Sequence, residues 1–229
     1  MLKKNDFVEI EYTGKVKETG MIFDTTNEVV AKENNFHNSK MKYGPMIVCI
    51  GQGQALKGLD KALEGKEVGK DYSVEISAEE GFGKKDPKLV QLIPSNKFKS
   101  ANIRPVPGLQ INVDGQIGTI KTVSGGRCMV DFNHPLTSKD LIYDFKIVSE
   151  ITDKEKQVSS LAGVMLQMEN PKVKMDTDKA VITVPFELPE QASKMISNKL
   201  VEVIDGLKEV VFEAVAKPDT VKKKEVKEE

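Results

Sequence analysis

Residue types able to carry covalent or metal chemistry are sparse in this chain and badly spaced for it. Cys49 and Cys128 lie in apolar stretches with no CxxC spacing. His37, His134, Cys49 and Cys128 are too scattered for metal-ligand spacing, so no metal-ligand set emerges. No nucleophile-elbow serine and no Cys-His signature is present, which disfavours covalent hydrolysis. Gly51-x-Gly53 and Gly58, between a strand pattern and a helix pattern, invite a phosphate-binding reading, because glycines let backbone N–H groups approach an anion. That reading fails in detail. Leu56 occupies the third glycine of the dinucleotide pattern, and the Lys and Ser or Thr of a P-loop do not follow. Neither a metal nor a cofactor is expected. What remains is an aromatic set, Tyr12, Phe23, Phe82 and Tyr143, with Asp24 beside Phe23 and the helix start Ala55-Leu56 near in sequence. Such residues form either plain core or an apolar pocket.

The elements that must position this set can be read from periodicity. Phe7 to Val16 alternates, with Val8, Ile10 and Tyr12 on one face, as in a half-buried strand. Met46 to Ile50 predicts a second strand, which leads through Gly51-Gln52-Gly53 into a two-turn helix carrying Ala55, Leu56, Leu59 and Leu63 and ending at Gly65. Tyr72, Val74 and Ile76 alternate again, and Leu141 to Val148 is rich in β-branched and aromatic residues. The amino-terminal unit is therefore mostly antiparallel sheet with one helix. Between Lys84 and Asp131 the texture changes. Prolines 87, 94, 105 and 107, an Asp114-Gly115 turn and a Ser124-Gly125-Gly126 turn separate strand-like runs at Val90 to Ile93 and Ile117 to Val123. This is a small β-rich insertion whose apolar residues Leu89, Leu92, Ile93, Phe98, Ile103, Val106 and Leu109 exceed the needs of a connector, although many must pack on one another.

From Thr152 the period becomes helical. Thr152 with Glu155 gives a capping-box signature, and Val158, Leu161, Ala162, Met165 and Leu166 form one face. Strand-like residues run from Val173 to Phe186. A second amphipathic helix follows with Ala192, Met195, Ile196, Leu200, Val203 and Ile204, ended near Gly206, and then a strand from about Glu209 to Val215. Helix, strand pair, helix, strand makes a compact α+β unit. Lys217 to Glu229 is nearly all charge and predicts a disordered tail.

Composition narrows the partners. Among 229 residues, 34 Lys and Arg balance 35 Asp and Glu, so no global field steers the chain to nucleic acid or an anionic membrane. The amino terminus lacks a signal peptide's apolar block, and cysteine usage suits a reducing compartment, so the expected location is cytoplasmic.

Read together, Tyr12-Thr13-Gly14, Gly20-Met21-Ile22-Phe23-Asp24, Gly51-Gln52-Gly53-Gln54-Ala55-Leu56-Lys57-Gly58-Leu59, Gly65-Lys66-Glu67-Val68-Gly69 and Glu79-Glu80-Gly81-Phe82-Gly83 stand in the order of the FKBP-type peptidyl-prolyl cis/trans isomerases. The chain resembles that family strongly over roughly its first two thirds, and beyond that only by layout. The replaced flap, followed by Asp131-Phe132-Asn133-His134-Pro135-Leu136, resembles the SlyD-like branch, whose inserted domain binds unfolded chains. The appended domain and Tyr43-Gly44-Pro45 resemble the long archaeal members.

The resemblance implies an α+β fold: an FKBP-type antiparallel sheet wrapped on a short helix (1–83 and 132–151), an insert-in-flap domain (84–131), a C-terminal α+β domain (152–216) and a tail (217–229). It implies that Tyr12, Phe23, Asp24, Leu56, Phe82 and Tyr143 are catalytic and that Met46, Ala55, Leu59 and Leu136 bind substrate. Leu59 stands where the family often has Trp, and Phe82 where it commonly has a Tyr whose hydroxyl binds a substrate carbonyl. The partners implied are unfolded or proline-containing polypeptides, with no nucleic acid and no membrane. Two other readings stand beside the enzyme: a non-catalytic holdase or binding module on the same scaffold, and a C-terminal unit that serves homodimerisation through amphipathic helices.

Overall fold

The computed structural model describes residues 1–100, 102–113 and 115–214, so the predicted tail, residue 215 of the last predicted strand and Asp114 of the predicted turn lie outside the described residues. Three sheets follow one another, each with its own apolar cluster.

The first sheet runs in the order β2-β1-β9-β4, with β3 pairing on the same side of β1 as β2 but further toward its start. β1 spans Phe7–Val16, β2 Ile22–Thr25, β3 Met46–Cys49, β4 Asp71–Ile76 and β9 Leu141–Glu150, and every pairing is antiparallel. Alternation drives this arrangement, since the period-2 residues Val8, Ile10, Leu141, Tyr143, Phe145 and Ile147 turn their side chains to one buried face. Helix α2, Lys57–Leu63, closes that face with the fully buried Leu59 and Leu63. Each such side chain contributes about 1.5–3 kcal/mol on leaving water. Between β2 and β3 the chain forms an unforeseen short helix, α1, Glu28–Glu33, capped by the Asn27 side chain, which accepts from the N–H of Val29 at 2.9 Å.

The second sheet, in the order β5-β8-β7-β6, lies within the residues expected to form an insertion: β5 Val90–Pro94, β6 Gln110–Val113, β7 Gln116–Ser124 and β8 Arg127–Asp131, with helix α3 at Ser95–Ser100. Phe98, Ile111, Ile120, Cys128 and Val130 form its small core, against which Ile93 and Leu109 pack. Of the insert's apolar residues singled out above, Phe98 is thus interior, whereas Leu89, Leu92, Ile103 and Val106 face solvent.

The third sheet joins β10 Lys172–Asp176, β11 Lys179–Val184 and β12 Glu209–Ala214. β11 and β12 are parallel, and helix α5, Glu190–Val203, makes the crossover that a parallel pair requires. Helix α4, Lys154–Leu166, is capped one residue later than the predicted box. Asp153, not Thr152, accepts the N–H of Glu155 at 2.9 Å and of Lys156 at 3.4 Å. Thr and Asp are both suited to such a cap, so the sequence pattern alone does not choose between the neighbours Thr152 and Asp153. This C-terminal core reaches into the first sheet, because Phe7, Cys49 and Ile151 belong to the same apolar cluster as α4 and α5. Among the described residues no helix is long and apolar enough to cross a membrane.

Candidate active site

β1 and β9 run side by side with Gly14 opposite Tyr143, while β2 sets Asp24 opposite Gly14 on the other side. Three strands thereby converge on one glycine. A Cβ at position 14 would lie 2.9 Å from Phe23 Cζ and 2.9 Å from Tyr143 Cζ, so the absence of a side chain there is what lets the two rings close over the strand. Their centroids are 5.9 Å apart at 80°, and Phe23 meets Phe82 edge-on at the same distance. Tyr12 lies 5.6 Å from Tyr143.

The remaining residues predicted for the site join this group. Leu59, Leu136 and Tyr143 are buried in one cluster, and Tyr12, Phe23, Met46, Ala55, Leu56 and Phe82 are half-buried against it. Asp24 is tied in by the Tyr12 hydroxyl, which donates to its Oδ2 at 3.0 Å. Burial pushes the Tyr12 phenol well above its ordinary value, and the neighbouring Asp24 carboxylate pushes it further. Tyr143 is raised in the same way, by burial first and Asp24 second. Burial also raises Asp24, an effect that the Tyr12 hydroxyl and the Thr25 N–H partly offset. Both phenols therefore stay protonated donors at neutral pH.

An open groove of roughly 790 Å³ begins at this pair. Tyr12, Asp24 and Met46 are on its wall, whereas Phe23, Leu59, Phe82 and Tyr143 pack next to them and are not.

The loop before α2 is held by a residue that periodicity did not single out. Asp60, buried in α2, accepts the N–H of Gly51 at 2.8 Å with Oδ1 and the N–H of Gly53 at 3.0 Å with Oδ2. Both glycines have positive φ, 80° and 69°, and the clamp fixes that turn. The N–H groups that suggested a phosphate cradle are therefore already occupied by a carboxylate. Downstream of the loop, Leu56 is the N-cap of α2, and among the described residues its N–H has no hydrogen-bond partner.

His134, excluded above as a metal ligand, stacks on Phe82 with centroids 4.5 Å apart and planes 8° apart. Its Nδ1 accepts the Leu136 N–H at 3.3 Å, which leaves Nε2 as the protonated nitrogen. A signal existed only in the linear neighbourhood of Leu136. Cys49 offers no nucleophile: burial, with the Asp60 and Asp6 carboxylates, pushes its thiol up to about 12. Where the second sheet leaves the first, Asp131 Oδ2 pairs with Lys85 at 3.2 Å while Oδ1 accepts the Asn133 N–H at 3.0 Å.

Residues 1–98 match the family described as FKBP-type peptidyl-prolyl cis-trans isomerase, and residues 91–136 match the FKBP26 IF domain. The chain is 35% identical over 147 residues to the short-type peptidyl-prolyl cis-trans isomerase of Methanocaldococcus jannaschii, covering 64% of this chain and 92% of that protein. The chain belongs to the FKBP-type peptidyl-prolyl cis-trans isomerase family, and its enzyme class is that of an isomerase acting on proline-containing polypeptides. It is also 33% identical over 125 residues to the SlyD isomerase of Yersinia pestis (52% of this chain, 64% of that protein). The SlyD isomerase of Escherichia coli K12 is 31% identical over 117 residues, which is 48% of this chain and 59% of that protein.

Proposed function

We propose that the cluster around Tyr12 and Phe23 is the prolyl pocket and that it isomerises X-Pro bonds without covalent chemistry. Rotation about such a bond breaks amide resonance, against a barrier of about 18–20 kcal/mol, and is slow when unaided. Nothing need be transferred. A cleft that takes the proline ring out of water favours the twisted amide, whose charge separation is smaller than that of the planar form. In this reading Phe23, Leu59, Phe82 and Tyr143 grip the ring, with Met46, Ala55 and Leu136 completing the apolar wall. The Leu56 N–H holds a substrate carbonyl, and Asp24, oriented by Tyr12, faces the carbonyl of the rotating bond. The observation that carries it is the convergence of Phe23 and Tyr143 on the bare backbone of Gly14.

We assign the chain to the SlyD-like branch in its long archaeal form, with an isomerase domain at 1–83 and 132–151, an insert at 84–131 and a C-terminal domain at 152–216, acting in the cytoplasm. The insert captures unfolded segments and raises their concentration beside the pocket. Its support is the outward apolar surface: Leu92 and Ile117 are 61% and 66% exposed, and β5 is an edge strand. Removal of 84–131 should slow isomerisation of protein substrates far more than of short peptides. An equal loss on both would reject capture. The C-terminal unit is proposed to form a homodimer through the apolar surface around Phe186 and Met195, which are 44% and 64% exposed. Light scattering of a chain ending near Ile151 tests this, and an unchanged oligomeric state would reject it.

A holdase that lacks useful catalysis is the second reading. Its specific support is Phe82, which stacks on His134 and has no hydroxyl to offer a substrate carbonyl. Aggregation suppression that survives in Phe23→Ala, together with wild-type protein inert toward X-Pro substrates, would favour it.

A further inference from the structure

The segment between β2 and β3, for which periodicity supplied no role, is tied down at several points. Gly44 donates its N–H to Thr26 O at 2.8 Å, and the Tyr43 ring stacks on His37 at 5.2 Å while its hydroxyl accepts the Asn38 N–H at 3.0 Å. Opposite it stands α4, anchored to the edge strand β3 by Ser160, whose hydroxyl donates to Ile47 O at 3.0 Å. The chain at the end of α4 then folds back so closely that a Cβ on Gly163 would come within 2.8 Å of Met168 O.

Two independently built walls thus face each other across the groove that starts at Tyr12 and Asp24. Met41 on one wall is 54% exposed and Val164 on the other is 51% exposed, large apolar side chains left in water on both sides of one cleft. The charged residues along it are mixed, with Glu9, Asp24 and Glu169 against Lys42 and Lys156, so neither an anion nor a cation is selected. Its volume falls within the ordinary range of ligand sites.

We propose that this groove is a substrate subsite that holds apolar residues flanking the proline, with Met41 and Val164 setting the preference. The occupant is the extended polypeptide whose proline sits in the aromatic pocket, because Tyr12, Asp24 and Met46 belong to both. The C-terminal domain, through α4, is then part of the substrate site rather than an appendage. This rests on the pocket assignment made above, and the two fail separately.

The test compares full-length wild type, Val164→Glu, Met41→Glu and Phe23→Ala on a chromogenic X-Pro tetrapeptide and on a longer peptide with leucines on both sides of the same X-Pro unit. Both glutamates replace exposed side chains, and circular dichroism confirms that each variant folds; Met41 lies outside any helix or strand and serves if Val164→Glu does not. The ratio of kcat/KM on the long peptide to that on the tetrapeptide should fall about ten-fold, mainly through KM, as expected for losing one buried aliphatic contact. Val164→Leu should leave it near the wild-type value. An unchanged ratio in both glutamate variants overturns the subsite, even where Phe23→Ala is inactive on both peptides. A lowered ratio with an active Phe23→Ala would support the subsite and remove the pocket.

Discussion

The Tyr12 hydroxyl and Asp24 Oδ2 are joined by a hydrogen bond of 3.0 Å that links the central strand β1 to the short strand β2 on the wall of the groove. Burial raises the pKa of both partners; the hydrogen bond itself favours the charged carboxylate but offsets burial only in part, so Asp24 favours the folded state most when its carboxyl is neutral.

A pH dependence follows from Asp24. Its folded-state pKa lies above the unfolded value, so its contribution to stability is complete below the unfolded pKa and is lost as pH rises through the folded one. Asp24→Asn keeps an acceptor for Tyr12 and removes the charge. Relative to wild type, this variant should gain thermal stability on going from mildly acidic to neutral pH. A difference in Tm that is flat or falls with pH would contradict the sign.

Gly14→Ala tests the close approach on which the pocket depends. The added methyl meets two ring carbons at 2.9 Å, and overpacking of this kind costs about 1–3 kcal/mol. Isomerase activity should drop in a protein that still folds, with the near-ultraviolet dichroism of the tyrosines altered. Wild-type activity and spectrum would show that the rings are not set by this glycine.

Asp60→Ala removes the clamp on the Gly51 to Gly53 turn. Both N–H groups belong to exposed residues and can turn to water, so a loss of about 1–2 kcal/mol is expected rather than unfolding. Because the turn precedes Leu56, KM for X-Pro peptides should rise more than kcat falls. Equilibrium denaturation and steady-state kinetics measure both.

The residues that periodicity found and those it did not differ in a physical way. β1 was read as Phe7 to Val16 and forms over those residues, since alternation on a sheet with one buried face is a strong local signal, even though the pairing register shifts at Glu9/Ile10 and at Gly14/Lys15. The pocket aromatics were recoverable only as a set of ordered motifs, because a single Tyr or Phe in an alternating run reads as core. Asp60 escaped notice since an acid between apolar helix positions looks solvated, and only the folded loop brings two N–H groups to it. Helix α1 was missed because it has barely two turns and one buried residue, Ala31. The groove under Val164 joins positions more than a hundred residues apart, so no local pattern encodes it.

On the insert, Leu92→Asp and Ile117→Asp place charge on solvent-facing positions of the sheet, and Leu92 alternates with the core-packed Ile93. Suppression of aggregation of an unfolded client should weaken several-fold, while kcat/KM on a tetrapeptide serves as the internal reference. Unaltered suppression would locate capture elsewhere.

The most direct measurement is a refolding reaction limited by prolyl isomerisation, followed with wild type and Phe23→Ala in parallel at matched concentration. Wild type should accelerate the slow phase and the folded variant should lose most of that acceleration, by about one to two orders of magnitude if the ring contact acts mainly in the transition state. Equal acceleration by a folded Phe23→Ala protein would contradict the pocket assignment.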